Sequence, residues 1–418
     1  MRELSVTEYS HITLPSSDLV EADLEYLSRL RYAGRIGLTV SPDGDARIQL
    51  SSCVGVIQLS KVRLEIVPKI EGPLWPLVLI HMLSRVYGVK DLERLSATPF
   101  STQSELIEGF TEYFLGVIDK LISEGLCLGY IRIRAHANAL RGRVLLRELY
   151  RPQFVFGGGI PCEYELLSEE RLENRIIKAS LDRVSRLPLD RHLQTPLRYI
   201  MGLFNQVPTD GNITGDSVDD VVFTRLNDHY RHSLALCKLI LDHLFIAFSS
   251  GGVPFHSFLV DMNELFEKYV VMVLSDNLDV QYRLRSHPHF RIEGNPNNTV
   301  RSVTLEPDFI IDKWGTSVLV GDVKYKGALI QSPFSTEGFR NPDFYQALAY
   351  AVVADVPALL VYPAHAVGSR IADTFRLTRN TVGIVTVDLS LPLGEIGKEV
   401  IEFAEVLFSS ATTANSQL

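Results

Sequence analysis

The sequence predicts a multidomain α+β protein: a β-rich and helical N-terminal region, then a C-terminal α/β domain built on a central mixed sheet. Three observations lead there. The chain has 418 residues, too many for one ordinary hydrophobic core. Period-2 alternation in the first 70 residues gives way to helical spacing near Trp75. Beyond "SSGGVP" at 249–254, a helix precedes two adjacent strand patterns, a second helix and further short apolar strands, an order that suits a sheet covered by helices.

Hydrophobic residues make up 46% of the chain and charged residues 22%, a globular rather than a disordered balance. Cys53, Cys127, Cys162 and Cys237 form no CxxC pair, so neither a zinc site nor a disulfide framework is read, and a reducing compartment suits them. The N-terminus has no apolar signal core, and no run approaches the roughly 18–20 apolar residues of a membrane span. The expectation is a cytoplasmic protein with no membrane association. The net charge of −9 argues against coating nucleic acid indiscriminately, which needs surplus Lys and Arg, but leaves room for a local basic surface.

In chain order, residues 1–70 read as a β-rich domain, with strands either side of "LSK" and a stop at Pro68. Residues 71–250 read as mainly helical, with "SELIEGFTEYFLGVIDKL" starting at Ser104 and a helix running through "LNDHYRHSLALCKLILDHLFIAF". Within them an insertion at about 126–165 carries Arg132, Arg134, Arg141, Arg143, Arg147 and Arg151. Across the basic run itself the only acid is Glu148. The "FGGGI" after it lacks the GKS/T of a phosphate loop. Residues 251–410 form the C-terminal domain and 411–418 a disordered tail.

The chemistry concentrates in "EPDFIID…SVLVGDVKYK". If the hairpin turn centres on Gly315, paired numbers sum to about 630 and Asp308 stands opposite Asp322. Opposed side chains share a face roughly 5 Å apart, and alternation puts Lys324 on that face with Lys326 further out. Two close carboxylates repel, so a cation must neutralise them, and Mg²⁺ with its preference for hard oxygens does this well (Mn²⁺ can substitute). The helix "MNELFEKYVVMVL" offers a third acid: Glu264 and Glu267 both lie off its apolar stripe, Glu267 nearer the edge. Asp308, Asp322 and Glu267 would hold the metal, with Lys324 orienting or helping to deprotonate water. The bland alternative is a plain Asp–Lys ion bridge. In "VQYRLRSHPHFRI" Arg283, Arg285, His287, His289 and Arg291 share a face that suits DNA phosphates, with Pro288 marking an edge or bent strand. His287 and His289 bring no further ligands and are not read as a metal site.

"PD…GDVKYK" in this element order resembles the PD-(D/E)xK nuclease superfamily, and "DFYQALAY" is similar to the Gln-xxx-Tyr motif of its RecB-like branch. That resemblance implies DNA contact by Gln346 and Tyr350. "GVIQLSKVRLEIVPKI", "LRGRVLLREL", "ENRIIKASL", "FLVDMNELFEKYV", "EPDFII" and "GDVKYK" together resemble the McrC family, nuclease subunits of McrBC modification-dependent (5-methylcytosine) restriction systems. The family implies a PD-(D/E)xK nuclease domain at the C-terminus. It also implies an N-terminal region that binds and stimulates a hexameric AAA+ GTPase of McrB type, and cleavage of modified double-stranded DNA. The arginines at 132–147 then either bind DNA phosphates or enter the GTPase ring, and the family favours partner contact. A stand-alone RecB-like repair exonuclease and a non-catalytic activator of the GTPase are the competing readings.

Overall fold

The computed structural model describes residues 2–69, 75–89, 103–149, 159–187, 189–208, 212–248, 254–293, 302–326, 329–332, 335–339, 341–364, 371–377, 380–389, 398 and 400–405. They fall into two units, residues 1–86 with 259–418, and residues 87–258.

The first unit begins with β1 (Arg2–Thr7), β2 (His11–Leu14), α1 (Glu21–Tyr32), β3 (Ile36–Val40), β4 (Ala46–Leu50), β5 (Cys53–Gln58), β6 (Val62–Val67) and α2 (Trp75–Val86). In β6 the alternation read from the sequence is real: Val62, Leu64 and Ile66 are buried while Arg63 and Glu65 are partly exposed. Strand β6 pairs antiparallel with β5 and parallel with β1, and β2, β4 and β3 form a separate sheet.

The second unit holds α3 (Gln103–Glu124), β7 (Gly129–Ala137), β8 (Arg143–Val144), α4 (Leu146–Leu149), β9 (Ile160–Ser168), α5 (Leu172–Val184), α6 (Arg191–Leu203), α7 (Arg231–His243) and β10 (Leu244–Phe248). The helix expected to continue to Phe248 stops at His243. Leu244–Phe248 pairs antiparallel with β11 (Pro254–Asp261), where a strand partner satisfies that backbone. The proposed linker falls at 249–253, outside the described residues, as does the 411–418 tail.

The chain returns to the first unit through α8 (Met262–Asn277), β12 (Tyr282–Ser286), β13 (Phe290–Glu293), β14 (Ser302–Leu305), β15 (Phe309–Lys313), β16 (Thr316–Val323), β17 (Leu329–Ser332), β18 (Ser335–Phe339), α9 (Asn341–Ala354), β19 (Ala358–Pro363), β20 (Ala372–Leu377) and β21 (Asn380–Val387). Six strands form a mixed sheet in the order β12-β15-β16-β19-β21-β20. The β15–β16 pair is antiparallel, β16, β19 and β21 run parallel, and α9 is the crossover that parallel strands require. On one face Ile310, Val320, Leu360, Val382 and Ile384 bury Ala347, Tyr350 and Ala351 of α9. Alternation turns Tyr325 to the other face, where its ring meets Phe266 of α8 with centroids 5.8 Å apart.

The boundaries read after residues 70 and 250 differ from this division. The N-terminal strands are bonded to the start of α8 and so group with the C-terminal sheet. The Met262 N–H donates to Ser52 O at 2.9 Å, the Ser52 hydroxyl to Asp261 at 2.7 Å and the Tyr9 hydroxyl to Asn263 at 3.0 Å. Among the described residues all four cysteines are free, and no helix is long and apolar enough to cross a membrane.

Gly321 is required for close approach rather than for its dihedrals. A Cβ there would lie 2.0 Å from the Phe309 ring, so Gly321→Ala should destabilise the protein by about 1–3 kcal/mol in urea denaturation. Glu8 is fully buried, and its carboxyl is pushed up to about 7, by burial above all, although the Lys69 N–H donates to it. The folded state therefore holds a proton that the unfolded chain releases near 4.5. The stability this contributes is present below that pH and lost as pH rises through about 7. Denaturation across pH 4–8 should show Glu8→Gln removing a loss on the order of 3 kcal/mol.

Candidate active site

The β15–β16 hairpin turns on Trp314 and Gly315, whose φ values of 52° and 87° give the left-handed two-residue loop that matches strand twist. Lys313 pairs with Thr316, and a bulge between Ile311 and Asp312 shifts the register by one. Beyond it Phe309 faces Gly321, the register expected from the sequence. Asp308 therefore stands just before β15, abreast of Asp322. The Val323 N–H donates to Asp308 Oδ2 at 2.6 Å. Asp322 is 1% exposed, and Lys324 Nζ lies 2.6 Å from its Oδ2. The two form a close ion pair that takes up this buried oxygen. The Lys324 N–H donates to Val361 O at 2.9 Å, extending the β16–β19 ladder past the last strand residue.

Helix α8 supplies the third acid. Asp261 caps it by accepting from the N–H groups of Asn263 and Glu264, and Met262, Leu265, Phe266, Tyr269, Val270 and Val273 bury its apolar stripe. Glu264 faces outward and pairs with Lys268 at 2.6 Å. Glu267, at the stripe's edge and half-buried, reaches His287, with Oε1 and Nε2 3.3 Å apart. One ligand atom each from Glu267, His287 and Asp308 all lie within 4.8 Å of one another.

His287 is the residue that sequence reasoning set aside. Even alternation would have kept it among the arginines of one strand face. Instead β12 ends at Ser286 as the edge of the large sheet, β13 pairs with β14, and the turn between them swings His287 towards Glu267. Its φ of 46° is a left-handed value that β-carbon-bearing residues adopt at a cost, and its N–H donates to Asp308 O at 2.9 Å. The local signal was "HP": proline restricts the residue before it and marks a break in the alternation.

The electrostatics follow from crowding acids in a half-dry place. Burial first, and Asp308 next, push the Asp322 carboxyl up to about 6. Burial raises Asp308, helped by Glu267 against the bond from the Val323 N–H. Burial also raises Glu267, with Asp322 adding to it against His287. Burial opposes the charge on Lys324, but Asp322 outweighs it and holds the ammonium above its ordinary value. The groups thus form three carboxylates of raised proton affinity around one fixed cation, Lys324.

The other expected site residues are placed as follows. Gln346 Nε2 donates to the Tyr350 hydroxyl at 2.6 Å, and that hydroxyl donates to Glu306 O at 3.3 Å. Tyr350 is only 3% exposed, so it buttresses the site from α9 and presents little surface to a ligand. Lys326 is not free for a phosphate: its Nζ lies 2.7 Å from buried Asp343, which also accepts from the Tyr362 hydroxyl. Arg285 clasps Asp312 at 2.5 and 3.0 Å, leaving Arg283 as the more available charge on β12. Arg291 belongs to the separate β13–β14 pair, so the five basic residues do not form one face.

In the second unit, β7, β9 and β8 make a three-stranded sheet. Arg134 pairs with Glu163 at 2.7 Å, and Arg132 lies 3.9 Å from both Glu163 and Glu165. The basic run is thus partly neutralised by acids that lie beyond it in the chain. Arg141 sits over the Tyr164 ring at 5.8 Å, while Arg143 and Arg147 are exposed and make no salt bridge among the described residues. Gly142 is dictated by its place: φ is 59°, and a Cβ would meet Glu163 O at 2.4 Å. Arg151 and most of "FGGGI" lie outside the described residues.

The comparisons with known proteins converge. Residues 48–363 match the family described as McrBC 5-methylcytosine restriction system component. The chain is 21% identical over 299 residues to the Type IV methyl-directed restriction enzyme EcoKMcrBC of Escherichia coli K12, covering 68% of this chain and 83% of that protein. Its fold matches, with a TM-score of 0.60 and 20% identity over 98% of this chain and 100% of the other, a chain from the half-complex of the tetradecameric assembly of Thermococcus gammatolerans McrB AAA+ hexamers with bound McrC. With most of its length matched, the chain belongs to the family of McrBC 5-methylcytosine restriction system components.

Proposed function

We infer that this chain is the DNA-cleaving subunit of a McrBC-type restriction system, with a PD-(D/E)xK reaction centre at the open end of the β15–β16 hairpin. The observation that carries this is the pair of buried Asp322 and partly buried Asp308 beside Lys324, a charge arrangement that a bound cation would relieve. The donor set suits Mg²⁺: hard carboxylate oxygens, with ligand atoms of Glu267 and Asp308 and the His287 ring all within 4.8 Å of one another. Asp308, Asp322 and Glu267 would hold the ion, with His287 beside them. When bound, it would neutralise these acids and polarise a phosphate oxygen. Asp322 fixes the Lys324 ammonium, which orients a water toward the scissile phosphorus and stabilises the hydroxide formed. Glu267 and Asp308, ionised when they hold the ion, would help to place that water, and its proton would leave to solvent. Gln346, steadied by Tyr350, and Arg283 flank the path of a DNA backbone.

The partner follows from the relatives. The archaeal assembly contains McrB AAA+ hexamers with bound McrC, and the same association is proposed here. Arg141, Arg143 and Arg147, free of salt bridges, are the residues proposed to meet the GTPase and stimulate it, while Arg132 and Arg134 brace the hairpin that presents them.

Purified chain with the partner GTPase, GTP and Mg²⁺ should cleave modified duplex DNA, and Asp322→Asn should lower the rate at least about a hundredfold while leaving GTPase stimulation intact. Cutting by the chain alone would favour a stand-alone repair nuclease, and stimulation without cutting by the wild type a pure activator. Arg147→Glu should instead lower partner affinity about tenfold by titration, and GTPase stimulation with it. Because ligation needs ionised carboxylates, the Mg²⁺-induced rise in Tm should grow as pH passes upward through about 6, where Asp322 ionises.

A further inference from the structure

The N-terminal strands touch both elements that carry the reaction centre. Glu8 and Tyr9 follow β1 directly. Tyr9 holds a left-handed φ of 59°, a conformation retained when surrounding structure enforces it. Its N–H donates to Ser51 O at 3.0 Å, and its hydroxyl reaches Asn263 at the first turn of α8. Ser52, 4% exposed, bonds Asp261 through its hydroxyl and Met262 through its carbonyl. Four contacts of 2.7–3.0 Å, three to the residues that begin α8 and one that sets Tyr9 for it, thus fix where the helix starts. Glu267 stands five positions after Met262, so its place along the helix axis follows from that start.

The rotation of α8 is set by a second contact. Phe266, next to Glu267, packs on the Tyr325 ring, and Tyr325 is next to Lys324. Glu8 approaches Tyr325 at its hydroxyl end. The Glu8 charge adds to burial in raising the proton affinity of that hydroxyl. The contact with Phe266 is made by the Tyr325 ring, so Tyr325 acts on α8 through its shape, as a wedge between Glu8 and Phe266.

We propose that Ser52 and Tyr325 are positioning residues for the reaction centre: the N-terminal β-module holds α8 in the register and rotation that bring Glu267 to Asp308, Asp322 and Lys324. The inference rests on the nuclease reading above and deepens it. On this view residues 1–69 belong to the nuclease and are not solely a partner-binding region, and motion of that module would misplace Glu267 without touching Asp322.

The test uses the full chain with its partner GTPase. Ser52→Ala and Tyr325→Leu should each lower the single-turnover cleavage rate about tenfold or more and raise the Mg²⁺ concentration for half-maximal rate several-fold. KM for DNA and stimulation of the partner GTPase should stay unchanged. Calorimetric titration with Mg²⁺ in the absence of DNA should show the same weakening. Tyr325→Phe, which keeps the wedge, should restore both readouts to within about twofold of wild type. Wild-type rates and Mg²⁺ midpoints in both variants would overturn the inference alone. So would a uniform loss of cleavage, GTPase stimulation and Tm in both, which marks a merely structural role. A wild type that neither binds Mg²⁺ nor cuts would overturn the nuclease reading and the inference with it.

Discussion

Asp308 and Asp322 are forced side by side where water is scarce, and much of the C-terminal half is organised around that repulsion. A carboxylate pair at such a place is tolerated when something positive stands close and when the backbone cannot spread the two apart. Lys324 supplies the first condition at 2.6 Å from Asp322. The hairpin supplies the second, since Val323 N–H grips Asp308 and the ladder to β19 grips Lys324. The residual cost appears as raised proton affinity in all three acids, Glu267 included.

The surrounding fold reads as the means of keeping that geometry stiff. Phe309 lies over Gly321, so the two strands bearing the acids are locked in one register by a ring that leaves no room for a methyl group. Helix α9 seals one face with Tyr350 beneath the site, and α8 brings Glu267 round from the other. Secondary pairs absorb the remaining charges: Lys326 with Asp343, Arg285 with Asp312. These pairs draw the basic side chains into the frame, which is why fewer of them are available to a DNA backbone than strand alternation alone suggests.

The sequence by itself determined the local parts of this protein. The period-2 runs, the apolar stripe of α8, the two-residue turn at Trp314–Gly315 and the offset from Asp308 to Asp322 all depend on neighbours within about twenty positions, where backbone periodicity dictates which side chains share a face. The candidate site was legible to that extent, with Glu264 and Glu267 both off the apolar stripe and Glu267 nearer its edge. What only the tertiary structure decided were the encounters between distant segments. His287 enters the site because the chain bends before Pro288. Arg132 and Arg134 are neutralised by Glu163 and Glu165 across a strand pair, and Leu244–Phe248 becomes a strand because β11 is there to pair with it. Tyr9 and Ser52 reach the start of α8 from more than 200 positions away, a pairing carried by no periodicity and no motif. Such contacts depend on which surfaces meet when the chain closes its core, and that is a property of the whole fold.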